Sequence, residues 1–485
     1  MKIINRYIVF GLTVAIAWSC TYDEPEMSQP TSGTADFTKM VSVGNSLTAG
    51  FMDGALYNQG QMNSFPALLA MQMELVGGGE FNQPDINSDV GFSGLASDGT
   101  TPLGRLRLVG SVPTPIVPGE FPGAFAGDKS ALNNFGVPGI TLGTALIPNT
   151  GTPGDDLENG LYTRFASSPG TSTVIGDAAA ALADGGTFFT FWLGNNDILG
   201  YATGGAANET IFTDLNTFSQ TLNQALGAML AAAPDAEGVV ANIPDVLSIP
   251  FFKLVPYNSI PLDATTAAGV NIAYGEYNAG LAAALGAMLI TQEEHDRRVI
   301  NFVEGDNGYV ITDDELTDVA TLSGGMIPIP NLRQTAPTDL VPLTVASVLG
   351  TLVDPDDPNT ARGVGVPLGD ESVVTPAELA TIQSRTEQFN QLIADAVDAN
   401  SSQLVLFDAN TLLQDLVVNG ASINGSALDA SLIPPFGAFS TDGVHPNSRG
   451  YAYLTNEMIE VINSKFGANI PELNPNDYPG NALPE

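Results

Sequence analysis

Short, continuously apolar runs recur along the chain at Val41–Gly44, Leu132–Phe135, Thr187–Leu193, Val239–Ile243 and Leu404–Asp408. Runs of this length without polar alternation predict strands covered on both faces, as in a buried parallel sheet. Between them the apolar spacing lengthens to a helical period. Phe65–Val76, Ile211–Ala233 and Ala264–Ile290 read as helices, the second with Leu215, Phe218, Leu222, Leu226 and Met229 on one face. A further helix starts at Thr375-Pro376-Ala377-Glu378, where an N-cap, a first-turn proline and a capping-box glutamate coincide. Leu379, Ile382, Phe389, Ile393 and Val397 trace its core stripe. Strands alternating with helices predict an α/β domain built on a parallel sheet of about five strands.

Two stretches interrupt this alternation. Residues 80–129, after the helix-ending Gly77-Gly78-Gly79, are rich in glycine and proline, with one hairpin strand expected at Arg105–Val109. Residues 293–370 carry repeated prolines and the run Asp354-Pro355-Asp356-Asp357. Insertions of this length near a site are expected to wall its cleft. The aspartates Asp354, Asp356 and Asp357, or Asp306 with Asp313 and Asp314, are possible calcium ligands. Neither set has the loop glycine and distal glutamate of a calcium loop, so both read as solvated and no metal is expected. The Pro- and Asn-rich segment 468–485 reads as an irregular tail.

Composition narrows the setting. Of 485 residues, 53 are acidic and only 15 are lysine or arginine, for a net charge of −38. Such a field repels nucleic acid and other polyanions and favours neutral substrates. With 44% hydrophobic residues the body has ample material for a core. Lys2 and Arg6 precede an apolar run from Tyr7 to Trp18, a signal-peptide layout too short to span a bilayer comfortably. The single cysteine, Cys20, has no partner for an internal disulfide. Residues 20–36, acidic and then Pro/Ser/Thr-rich, read as a flexible tether to a domain spanning 37–467. No internal repeat, paired-cysteine metal motif or phosphate-cradling glycine loop is present, and no cofactor or obligate protein partner is implied.

Histidine is the scarcest catalytic type, with only His295 and His445 available. His295 lies in Gln292-Glu293-Glu294-His295-Asp296-Arg297-Arg298, a mixed-charge run expected at the surface. His445 lies in Asp442-Gly443-Val444-His445-Pro446. There a short non-helical loop lets the Asp442 carboxylate fold back onto Nδ1 and leave Nε2 free to take a proton. A polar turn capping the next helix accounts equally well for that pair alone. A nucleophile is available at Ser46, where the strand Lys39–Val43 runs into Gly44-Asn45-Ser46-Leu47-Thr48-Ala49-Gly50. A serine there has its backbone N–H exposed at the sheet's carboxyl edge, though it also suits a plain helix N-cap. Pro138-Gly139 by itself is an ordinary turn, and Asn196 by itself an ordinary cap.

Taken together, Gly44-Asn45-Ser46-Leu47, Asn134-Phe135-Gly136-Val137-Pro138-Gly139, Gly194-Asn195-Asn196-Asp197 and Asp442-Gly443-Val444-His445-Pro446 occur once each and in the family order. The chain thereby resembles the GDSL-type esterases of the SGNH hydrolase superfamily. The resemblance implies a three-layer α/β/α, flavodoxin-like fold and hydrolysis of carboxylic esters, whether of lipids or of acylated carbohydrates and small molecules. It implies Ser46 as nucleophile, His445 as base and Asp442 as its orienting partner. The backbone N–H groups of Ser46 and Gly139 and the side-chain amide of Asn196 would form the oxyanion hole. The family's aspartate before the serine is Asn45 here, which can donate as well as accept. Val240-Ala241-Asn242-Ile243-Pro244-Asp245 looks most like the lipolytic branch. Ser19-Cys20 resembles a bacterial lipobox, implying lipidation at Cys20 and a membrane anchor worth about 0.8 kcal/mol per buried methylene. The acidic stretch behind it resembles the export signal of Bacteroidetes surface lipoproteins, implying an outer-membrane protein facing outward. The competing expectation is a surface binding or adhesion protein that keeps the fold without the chemistry.

Overall fold

The computed structural model describes residues 29–483 apart from Ser111. The expected leader (1–19), Cys20 and the first part of the tether lie outside the described residues. Five strands, β1 (Met40–Gly44), β2 (Asn134–Gly136), β3 (Phe188–Trp192), β4 (Glu237–Ala241) and β5 (Leu404–Phe407), form one sheet in the order β5-β4-β3-β1-β2. Every pairing in it is parallel. All five expected runs therefore become strands of this sheet, with β4 beginning two residues earlier than its apolar run and β2 two residues later.

Seven helices carry the argument: α1 (Ser46–Ala49), α2 (Phe65–Glu74), α3 (Val174–Ala183), α4 (Asn196–Thr203), α5 (Leu215–Ala232), α6 (Pro376–Asp398) and α7 (Ser448–Phe466). Strand side chains alternate between faces, and here both faces are apolar. Phe189 and Phe191 of β3 join Val41 and Val43 in a core covered by α3, α5 and α6. Phe188 and Trp192 join Met40, Val239 and Phe407 in a second core covered by α2 and α7. Within the first core, α5 and α6 meet through stacked Phe218 and Phe389, ring centroids 3.7 Å apart. The capping box at Thr375 is formed as expected, with Thr375 N–H donating to Glu378 and Glu378 N–H to Thr375. Helix α5 starts later than its apolar pattern, because Asp214 caps it by accepting from the N–H groups of Asn216 and Thr217.

Two expectations change. The helix expected over Ala264–Ile290 is divided at Tyr274 into Ala264–Ala273 and Gly275–Gly286. Gly275 follows the break, glycine being among the poorest helix formers, and the Tyr274 hydroxyl donates to Val364 O at 2.7 Å. These helices do not cover the sheet. They belong to a third core running from Ile260 to Val373, with Leu281, Phe302, Tyr309 and Ile311 at its centre. The stretch 293–370 is thus part of a packed unit rather than a set of loops. Its buried polar hub is Arg333, which contacts Asp313 and binds Asp339 through Nη1 at 2.6 Å and Nη2 at 3.1 Å. Arg298, in the run expected to be solvated, is fully buried and donates to Glu294, Thr317 O and Pro330 O.

The two ends of the domain also dock. Thr31 bridges to Asn469, and Thr34 N–H donates to Phe466 O at 2.9 Å. The expected tether is therefore in contact with the body from Thr31 onward. The tail is irregular but anchored: Ile470 and Leu473 are buried, and Asn456 both donates to and accepts from Leu473. No helix among the described residues is long and apolar enough to cross a membrane.

Asp339→Ala removes two charge-assisted hydrogen bonds from buried Arg333 and leaves it Asp313 alone, so the variant is expected to be destabilised by about 3 kcal/mol. Urea titration followed by fluorescence checks this. A loss under about 1 kcal/mol would show that Arg333 finds equivalent partners.

Candidate active site

The site forms where β1 ends. The strand order reverses direction around β1, with β2 on one side and β3 to β5 on the other. In open parallel sheets, groups at the carboxyl ends meet in a crevice at such a switch. The register aligns Gly44 with Gly136 on one side and Trp192 on the other, so all three strands finish at one level. The chain must also turn tightly there. A Cβ on Gly44 would fall 2.0 Å from Thr48 Oγ1, and one on Gly136 would fall 2.3 Å from Ala49 N. Only glycine at both positions lets α1 seat against the strand ends.

Ser46 is the first residue of α1, where a helix N–H has no intrahelical acceptor. Asn45 caps this short helix, its Oδ1 accepting from Leu47 N–H at 3.0 Å. The carbonyl of Asn45 thus does what a carboxylate oxygen would do. Its Nδ2 is buried and finds no partner among the described residues.

From the opposite end of the domain, the loop before α7 brings His445 to Ser46. His445 Nε2 lies 2.8 Å from Ser46 Oγ, and Nδ1 lies 2.9 Å from Asp442 Oδ2. The Phe51 ring packs against the imidazole, centroids 5.0 Å apart. Asp442 Oδ1 accepts from the N–H groups of Val444 and His445, and Oδ2 also accepts from Gly54 N–H at 2.8 Å. Burial pushes the Asp442 carboxyl up. The His445 charge and these donors outweigh it and hold the group at about 2. Asp442 is therefore ionised across the neutral range and fixes the imidazole with Nε2 toward the serine.

Gly139 and Asn196 are brought to the same edge. Val137 N–H, following β2, donates to Gly44 O. Gly139 has φ +77°, in the left-handed region, and nothing lies within 4 Å of where a Cβ would be. Its loop is fixed by three side chains: Asn159 Nδ2 to Pro138 O and Asn196 Nδ2 to Ile140 O, each at 2.8 Å, and Asp197 Oδ2 accepting Leu142 N–H at 2.9 Å. One Asn196 N–H is engaged by Ile140, and the amide has a second to offer. The His445–Ser46 contact can deprotonate a serine hydroxyl, as nucleophilic attack on a carbonyl requires, and the Gly139 loop and Asn196 offer neutral donors at the same edge of the sheet.

His295 takes no part. It sits in the helix Gln292–Arg298 of the third core, half-buried, with Nδ1 2.9 Å from Asp296 Oδ1. The aspartates considered for calcium serve local structure. Asp354 and Asp357 accept turn N–H groups, while Asp313 faces Arg333 and accepts Glu315 N–H. Asp313 does come close to Asp314 and Asp370, with oxygens within 4.8 Å of one another.

Sequence reasoning missed the brace behind the triad. Asp53 is buried, its backbone left-handed at φ 56°. It accepts from the Tyr57 hydroxyl at 2.6 Å and from Thr441 N–H and Oγ1–H at 2.9 and 2.6 Å. Its own N–H donates to Ser440 Oγ, and Leu106 N–H of the first insertion donates to its carbonyl. The turn Asp53-Gly54 thereby holds Thr441 and Asp442 together. An Asp-Gly pair signals a turn in sequence. Nothing local signals that its partner lies 388 residues away.

Burial also raises the carboxyl of Asp197, to about 6. A group whose folded pKa is raised favours the native state most below its unfolded value, near pH 4, and that contribution is lost as pH rises through about 6. Asp197→Asn keeps the acceptor for Leu142 and removes the titration. The difference in urea midpoint between parent and variant is expected to move in the variant's favour between pH 4 and pH 7. A pH-independent difference would show that Asp197 is ionised at no cost.

No family model matches the chain, and no curated protein matches it.

Proposed function

We propose that the chain is a serine esterase, a GDSL-type member of the SGNH superfamily on a flavodoxin-like three-layer sandwich. The observation that carries this reading is the 2.8 Å approach of His445 Nε2 to Ser46 Oγ, with Asp442 behind the imidazole. The strand order β2-β1-β3-β4-β5, with helices on both faces, supports the flavodoxin-like reading. The four sequence blocks that suggest the family all lie at one edge of the sheet.

In this reading Ser46 Oγ attacks the ester carbonyl carbon while its proton passes to His445 Nε2. The electron pair moved onto the carbonyl oxygen is met by the N–H groups of Ser46 and Gly139 and by Asn196 Nδ2. Collapse of the intermediate breaks the bond to the alcohol oxygen, which leaves with the proton from His445. Water then gives a proton to the same nitrogen and attacks the acyl-enzyme, releasing the acid and restoring Ser46. Asp442 keeps its charge throughout and stabilises the imidazolium. Nothing in this sequence calls for a cofactor. Lipidation at Cys20 would hold the enzyme on a bacterial outer membrane facing outward, where its acidic surface favours neutral esters over polyanions.

The full chain is expected to hydrolyse p-nitrophenyl acetate and butyrate. Ser46→Ala and His445→Ala should each lower kcat by roughly 10⁴-fold or more. Asn196→Ala should lower it by roughly 10²- to 10³-fold. Equal trace rates in all four proteins would instead favour a surface binding protein on this scaffold.

A further inference from the structure

The chain enters the body at the edge of the sheet farthest from the active site. Asn469 Nδ2 donates to Gln29 O at 3.1 Å, Asn469 N–H to Thr31 O at 2.8 Å and Thr34 N–H to Phe466 O at 2.9 Å. Gly33 is left-handed at φ +62°, and a Cβ there would fall 2.2 Å from Phe466 O, so this segment lies directly on the end of α7. Ala35 and Phe37 are then buried in the second core on the way to β1. Phe466 packs edge-on against Phe188, the first residue of β3, which places the entry at the amino edge of the sheet. Ser46 and His445 meet at the carboxyl edge, just before α7 begins. The first turn of α7 is pinned there by the Tyr451 hydroxyl, which donates to Phe51 O at 2.9 Å. The 19 residues of α7 make a helix about 28 Å long. Entry point and nucleophile are thus fixed at opposite ends of one packed helix.

We infer that the active site opens away from the membrane that carries the enzyme, so that its substrates are esters borne by soluble molecules or polymers outside that bilayer and not lipids within it. The inference rests on the reading of the chain as an esterase lipidated at Cys20. Acyl chains on Cys20 hold that residue at the bilayer surface. Gln29, where contact with the body begins, lies nine residues beyond Cys20. Nine residues reach no farther than about 32 Å even when fully drawn out. For Ser46 to meet a lipid ester, the body must invert and lift its entry point above the bilayer by the length of α7. That uses almost the whole reach of the segment in a straight line and leaves none to pass around the body. With the amino edge toward the bilayer, none of that reach is needed. The same tether that keeps the enzyme on the membrane therefore keeps its nucleophile off it.

The test places the full lipidated chain in phosphatidylcholine vesicles and offers it one ester in three forms. These are N-succinyl-phosphatidylethanolamine p-nitrophenyl ester in the same vesicles, the same lipid in separate vesicles, and the soluble analogue without the lipid chains. Ser46→Ala is the blank. Sharing a bilayer gives a reachable ester an effective concentration in the millimolar range, and an unreachable one almost none. The expected Ser46-dependent rate is lower for the ester in the enzyme's own vesicles than for the ester in separate ones. Inserting about 30 Gly and Ser residues after Ser28 adds about 100 Å of reach and should reverse that order, making the own-vesicle ester faster by about tenfold or more. The rate on the soluble analogue should not change with the insertion. An own-vesicle rate that equals or exceeds the separate-vesicle rate in the parent overturns the inference, and so does a lengthened chain that still prefers separate vesicles. The readings beneath it fail differently. A mature chain whose mass shows no acyl groups on Cys20 overturns the lipoprotein reading, and absence of Ser46-dependent hydrolysis of the soluble analogue overturns the esterase reading.

Discussion

The hydrogen bond between Ser46 and His445 joins groups 399 residues apart, and the rest of the site depends on keeping that closure in register. Nothing local could do so. The serine end is fixed because β1 is the middle of three adjacent parallel strands that finish level. The histidine end is fixed because α7 packs its apolar face on the opposite side of β3 from α3, α5 and α6. Displacing α7 by a helical turn would move His445 by about 5 Å, beyond hydrogen-bond reach of Ser46. The burial that holds α7 through Met458, Ile459, Ile462 and Phe466 is therefore also what holds His445 against Ser46.

A second layer of polar contacts refines what packing positions. Asp442 receives the imidazole N–H and the Gly54 N–H on the same oxygen, and Gly54 is kept there by its neighbour Asp53. Asp53 is in turn held by Tyr57, by Thr441 and by the first insertion through Leu106. That insertion supports the loop that carries Asp442 and His445, and Arg105 adds a cation 3.9 Å from Asp53 and 4.9 Å above the Tyr57 ring.

The scarcity of positive charge gives the arginines an unusual distribution. Arg164, Arg298 and Arg333 are buried, each donating to carbonyls or carboxylates inside the protein. Burial lowers the Arg164 guanidinium to about 10, which still leaves it charged at neutral pH. Planar guanidinium groups suit this role, since one side chain satisfies several fixed acceptors at once.

Periodicity made the sheet legible. Buried parallel strands need apolar residues on both faces, and helices that cover them need a stripe, so β1 to β5 and the core faces of α5 and α6 could be read directly. The residues of the candidate site were legible for a different reason. A glycine at a close approach, a serine past a strand end and an aspartate three before a histidine are local arrangements that leave a local trace. The sequence could not reveal which apolar segments pack together. It therefore gave no sign that Ala264–Gly286 belongs to a third core, that Arg298 is buried within a charged run, or that the tail docks on α7. Nor could it reveal that the turn at Asp53 braces the loop of Asp442. Each of these is a contact between segments remote in sequence. Such contacts are selected by the burial and hydrogen bonding of the whole chain, and no short window of residues encodes them.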